Sequence, residues 1–242
     1  MTEDRPAFYA LPPGGWRDYW TLLHPPYTLW HLSYVVIGAS LAPEVRVPWL
    51  LETLVAFFLA MGVAAHALDE LHGRPLGTRI PKGVLVGLAG IGLAGAVALG
   101  VHGTFEVSAW LWAFIAAGVF LVVAYNLELF GGAFHSDAWF ALAWGAFPAA
   151  TAYFAQTGTV GVEAVLVATA CAAISAAQRI LSTPVRKLRR SVTGVSGTVV
   201  LADGSTEQLD ARSLREAPEV ALRWLSAAMP ILAGALLVSR LS

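Results

Sequence analysis

Two stretches of this sequence concentrate side chains that could do chemistry. The first reads His66-Ala67-Leu68-Asp69-Glu70-Leu71-His72-Gly73-Arg74-Pro75-Leu76. On a helix, His66, Asp69 and Glu70 stand three and four positions apart and share a face. Arg74, Arg79 and Lys82 follow. Carboxylates beside cations suit a metal-bridged diphosphate, in which oxygen ligands hold Mg²⁺ and the cations hold phosphate oxygens. The second stretch runs from Tyr125 and Asn126 through Glu128 to His135 and Asp137, around the pair Gly131-Gly132. It carries no Lys or Arg, which points weakly to a cation site. Plainer readings stand beside both. The first could be a polar helix end with basic flanks, and the second a polar loop in which Asp137 caps the next helix.

Other reactive types read less sharply. His66, Asp69, Glu128, His135 and Asp137 could suit a transition metal, but no two histidines stand at i and i+4. His24 reads as interfacial and His31 as a satisfied interior residue or a cavity liner. Cys171 lies in an apolar run and has no intrachain disulfide partner, so it reads as a small packing residue.

The elements that must position these groups are membrane helices. The chain has 242 residues, 57% of them hydrophobic and 13% charged. A soluble domain carries roughly twice that charge. Seven apolar segments fall at 27–43, 47–68, 83–101, 107–125, 138–156, 162–181 and 219–239. About 20 apolar residues of helix span the hydrocarbon core. The expected fold class is an all-α integral membrane protein of about seven transmembrane helices. Segment 83–101 is so rich in Gly and Ala that interior packing is expected for it. The basic residues of segments 69–82 and 182–218 belong on the cytoplasmic side. That places the N-terminus in the cytoplasm and the protein in the cell membrane. The first 20 residues lack the apolar core of a cleavable signal peptide. A net charge of −1 gives no case for nucleic acid.

Residues 192–210 look water-soluble. Asp203-Gly204 signals a turn between strands at 198–202 and 205–209, a small cytoplasmic β-hairpin before the last helix. The neighbouring Val185-Arg186-Lys187-Leu188-Arg189-Arg190 reads as a solvated or phospholipid-facing patch. Four regions result: an interfacial segment 1–26, a helical membrane core 27–182, a basic segment with the hairpin 183–218, and a final helix 219–242.

Between His24 and Arg190 the sequence resembles the UbiA-type membrane prenyltransferases. His24-Pro25-Pro26-Tyr27-Thr28-Leu29-Trp30 looks like the approach to that family's first span. Residues 67–81, ALDELHGRPLGTRIP, look like its first aspartate-rich motif, and residues 125–158 like the region of its second. The resemblance implies a UbiA-like bundle around a lipid-open cavity, with an isoprenoid diphosphate held by Mg²⁺ at the cytoplasmic mouth. It implies prenyl transfer to a lipophilic acceptor. Asp69, Glu70, Glu128 and Asp137 would hold the metal. Arg74, Arg79, Lys82, Tyr125 and Asn126 would bind substrate, and His66 or His135 would serve as base. Of the family pattern Asn-Asp-x-x-Asp-x-x-x-Asp only Asp69 matches here. The alternative is therefore a non-catalytic relative that binds a quinone, carotenoid or other isoprenoid, or a membrane subunit of a complex.

Overall fold

The computed structural model describes residues 5–242. Each of the seven apolar segments coincides with a helical rod. The short α1 (Trp16–Leu22) precedes α2 (Pro25–Ser40), which starts on prolines. Pro fits the first helical turn because its missing N–H would find no partner there. The next rod begins as α3 (Val47–Phe57), widens to π-helix over Phe58–Ala65, and ends as α4 (His66–Leu71). Then come α5 (Lys82–Glu106) and α6 (Leu111–Asn126). A one-turn α7 (Leu129–Gly132), with left-handed residues inside, leads to α8 (Asp137–Phe140). A second π stretch, Ala141–Ala146, joins α8 to α9 (Phe147–Thr157). The last long rods are α10 (Val162–Arg190) and α11 (Ala211–Leu241).

Four rods are long and apolar enough to cross a membrane: Val47–Leu71, α5, α10 and α11. Helices α2 and α6 have 16 residues each. At 1.5 Å per residue they reach roughly 24 Å, short of the ~30 Å hydrocarbon core.

Helix α2 lies in the middle, against α9, α11 and α3. It buries Trp30, Tyr34, Val35 and Ala39. Two glycines set the closest approaches. A Cβ on Gly38 would enter the backbone of Ala149, and one on Gly145 would meet the carbonyl of Cys171. Side chains that stop at hydrogen let membrane helices touch backbone to backbone. Cys171 itself is buried at this contact, as the packing reading of its sequence expects.

The expectation that the Gly/Ala-rich segment packs in the interior does not hold. On α5 only Leu85, Ala89 and Gly92 are buried, while Val86 and Ile91 face outward. Its small residues serve one face. A Cβ on Gly92 would lie 2.7 Å from the carbonyl of Leu59 in the first π stretch.

The hairpin forms, with β1 (Gly197–Val200) antiparallel to β2 (Thr206–Leu209) in the register Gly197↔Leu209. Its strands are shorter than the sequence suggests, because the loop takes five residues. Leu201 N–H donates to the carbonyl of Ser205 at 2.9 Å. The Asp203 carboxylate accepts from the N–H and hydroxyl of Ser205 at 2.9 and 2.6 Å. Gly204 takes φ +83°. Asp210 then caps α11 in a reciprocal capping box with Ser213.

Candidate functional site

A cavity of about 400 Å³ opens where α4, α6 and α10 end and where α2 and α8 begin. The folded segment around Pro6–Tyr9 lies over it. Its floor is built from histidines held by main-chain carbonyls. His31 Nδ1 lies 2.9 Å from the carbonyl of Trp144, in the second π stretch. His66 Nδ1 lies 3.0 Å from that of Gly62, in the first. His135 Nδ1 lies 3.0 Å from that of Tyr125. A carbonyl can only accept, so each uncharged ring carries its proton on Nδ1 and leaves Nε2 a lone pair. Among the described residues no hydrogen bond engages Nε2 of these three rings. Both π stretches thus supply a carbonyl to a cavity histidine, and π turns often sit at functional sites.

His24 joins them. It takes φ +46° at the start of α2, which brings its ring onto His66 with centroids 4.2 Å apart. Its Nε2 is buried without a partner. Burial, then the neighbouring His66, holds its imidazole well below the ordinary histidine range. The Tyr9 ring lies tilted against that of His24, centroids 5.3 Å apart, and burial pushes its phenol well above its ordinary range.

The opposite wall is cationic. Arg179, Arg186 and Arg190 stand seven and four residues apart on α10 and line the cavity from one helix face. Arg179 is tied to Asp137 at 2.8 Å and lies over the Phe140 ring. Arg190 donates to the carbonyl of Pro6 at 3.2 Å. Arg186 has only Thr183 Oγ1, at 3.3 Å, and no carboxylate among the described residues. Two more orphans line the cavity, Tyr125 Oη and Gln178 Oε1. Buried polar atoms rarely stay unpaired, and three in one cavity suggest a ligand's polar head.

Of the eleven residues to which the sequence resemblance gives a role, six line this cavity: His66, Asp69, Tyr125, Asn126, Glu128 and His135. Five do not. Glu70 is fully buried and turned the other way, where it accepts from Leu76 N–H, Thr78 N–H and the Thr78 hydroxyl at 2.8–3.0 Å. These three bonds hold the Glu70 carboxylate on the loop 72–81, so Asp69 enters the cavity without it. Arg74 donates to the carbonyls of Thr78 and Ile80, at 3.1 and 2.7 Å. Arg79 offers its main-chain N–H to Asp18 at 3.1 Å. Lys82 is exposed at the start of α5, and Asp137 is exposed and paired to Arg179. Asn126, though in the wall, donates its amide back to the carbonyl of Val122 at 2.7 Å.

The residues present do not fit a carboxylate-bridged Mg²⁺. Asp69 enters the cavity without Glu70 or Asp137. Glu128, about half exposed, is 3.9 Å from both His72 and His135. Among the described residues no three His, Cys, Asp or Glu side chains are grouped to hold a metal ion.

The sequence reading missed the guanidinium wall. Arg186 and Arg190 read as part of a solvated or phospholipid-facing patch, and Arg179 drew no notice. Its signal was present: an arginine inside the apolar segment 162–181 is costly and therefore informative. No family model, curated protein or solved structure matches this chain.

Proposed function

We propose that this chain is a seven-span membrane protein, N-terminus in the cytoplasm, that holds an amphiphile by an anionic phosphate-class head in the cavity below Pro6–Tyr9. An isoprenoid diphosphate is the ligand that the UbiA-like sequence features imply. The observation that carries the reading is the convergence of Arg179, Arg186 and Arg190 with three unpartnered buried polar atoms on one cavity. Guanidinium groups suit phosphate oxygens, since their planar fork donates in pairs. Tyr27, Tyr125, Phe140 and Trp144 give the same cavity an aromatic lining for the first isoprene units.

A second reading, prenyl transfer, is favoured by the free Nε2 lone pairs of His66 and His135. The allylic carbon–oxygen bond to diphosphate would break and a lipophilic alcohol or phenol would take the carbon. Its proton would pass to an imidazole.

The test is equilibrium binding of geranylgeranyl thiodiphosphate to the purified protein in lipid nanodiscs. Arg186→Gln is expected to weaken it tenfold or more, since hydrogen bonds to charged groups contribute about 1.5–3 kcal/mol. Equal binding by the variant and the parent would remove the reading. Release of diphosphate from the natural diphosphate, lost in His66→Phe, would establish transfer.

A further inference from the structure

A second pocket lies at the other end of the bundle, where α3 and α6 begin and α5 and α9 end. It is about 120 Å³ and nearly all apolar. Phe57, Phe114 and Phe147 form an aromatic box, with the Phe57–Phe147 centroids 6.0 Å apart and the Phe114–Phe147 centroids 6.3 Å apart. An enclosed apolar cavity of about 150 Å³ accepts a benzene ring; this pocket is somewhat smaller but open on one side, so a larger ring can enter it edge first.

One polar atom breaks this wall. Thr151 is 9% exposed, lines the pocket, and its hydroxyl has no partner. That is unusual within this chain. Thr53, Thr157, Thr169 and Thr183 each donate to the carbonyl one turn back, at 2.7–3.0 Å. Thr151 forgoes that bond. A buried hydroxyl left unpaired costs about 1–3 kcal/mol, which a ligand acceptor would recover. The rim is polar, with Glu52 bonded to His102 at 2.7 Å and Glu106 close by. A plain hydrocarbon tail would leave the hydroxyl unpaired.

We infer that this pocket binds the head of a membrane-dissolved quinone-type molecule, an uncharged planar ring whose carbonyl accepts from Thr151. The site shares no residue with the arginine-walled cavity and does not depend on what that cavity holds.

The probe is decylubiquinone, titrated against the full chain in nanodiscs and compared with empty nanodiscs, with 1-decanol as a ring-free competitor. Saturable binding is expected. Thr151→Val keeps the shape and removes the donor, and should weaken binding five- to tenfold. Ala96→Phe fills the pocket and should abolish it, while geranylgeranyl thiodiphosphate binding stays unchanged. The inference is overturned by no binding above empty nanodiscs, by equal competition from 1-decanol, or by unaltered binding to Thr151→Val. If Ala96→Phe does not fold, Thr151→Val and the competitor decide alone.

Discussion

The division of labour between Asp69 and Glu70 shows how one residue step separates chemistry from architecture. Glu70 is the clamp of the loop 72–81, and its carboxylate satisfies three donors that have no other partner. Glu70→Ala should destabilise the protein by about 3 kcal/mol or more, because each orphaned buried donor costs about 1–3 kcal/mol. Thermal unfolding in detergent checks this. A loss of ligand affinity with stability unchanged would instead return Glu70 to the site. His24 predicts a pH effect. Its folded value is depressed below the unfolded one, near 6.5. The unfolded chain therefore binds the extra proton between those two values. The contribution of His24 is fully present above about pH 6.5 and fades as pH falls toward the folded value. His24→Gln should flatten the decline of melting temperature between pH 7 and pH 5. A decline as steep as the parent's would exclude His24 as its source.

At the scale of elements, helix existence was legible and site membership was only half so. Seven apolar runs led to seven rods because backbone groups in lipid must bond within the segment. Asp203-Gly204 announced the hairpin for an equally local reason, a turn that needs φ > 0. What the sequence could not display was which side of each rod met its neighbours. Arg74 appeared free for phosphate, yet the loop that Glu70 clamps folds it back onto its own carbonyls. The cations came instead from α10, more than a hundred residues later, and only tertiary packing brings them to His66. The two π stretches were equally invisible, since hydrophobicity does not report an extra residue in a turn. Backbone contacts at Gly38 and Gly145 give an element-scale prediction. Gly145→Ala should push α10 from the second π stretch, at a cost of about 1–3 kcal/mol. Ala149→Gly, beside the Gly38 contact, should be milder. Chemical denaturation of both variants in micelles compares them.

For the whole molecule, the arginine-walled cavity and the hairpin lie at the chain ends of α10 and α11 that face one another through residues 191–210. The proposed seven-span topology puts both on the cytoplasmic side. The chain has a single cysteine, buried Cys171, so a reporter can be added cleanly. Ser205→Cys, on the exposed hairpin loop, should react with a membrane-impermeant maleimide only in inside-out vesicles. Labelling of right-side-out cells would reverse the orientation and move the cavity to the other face. Arg189, bidentate to Glu219 at 2.7 and 2.8 Å and donating to the carbonyl of Arg5, joins α10, α11 and the N-terminal segment. The three pinned histidines add a rule of admission. With Nδ1 committed to the main chain, the floor offers electron pairs, while the arginine wall opposite offers only protons. A guest rich in bare oxygens is repelled by one side and welcomed by the other, so it must bind facing the wall. A guest that brings its own hydroxyl is accepted at the floor. The cavity thus sorts its guests by who owns the hydrogen.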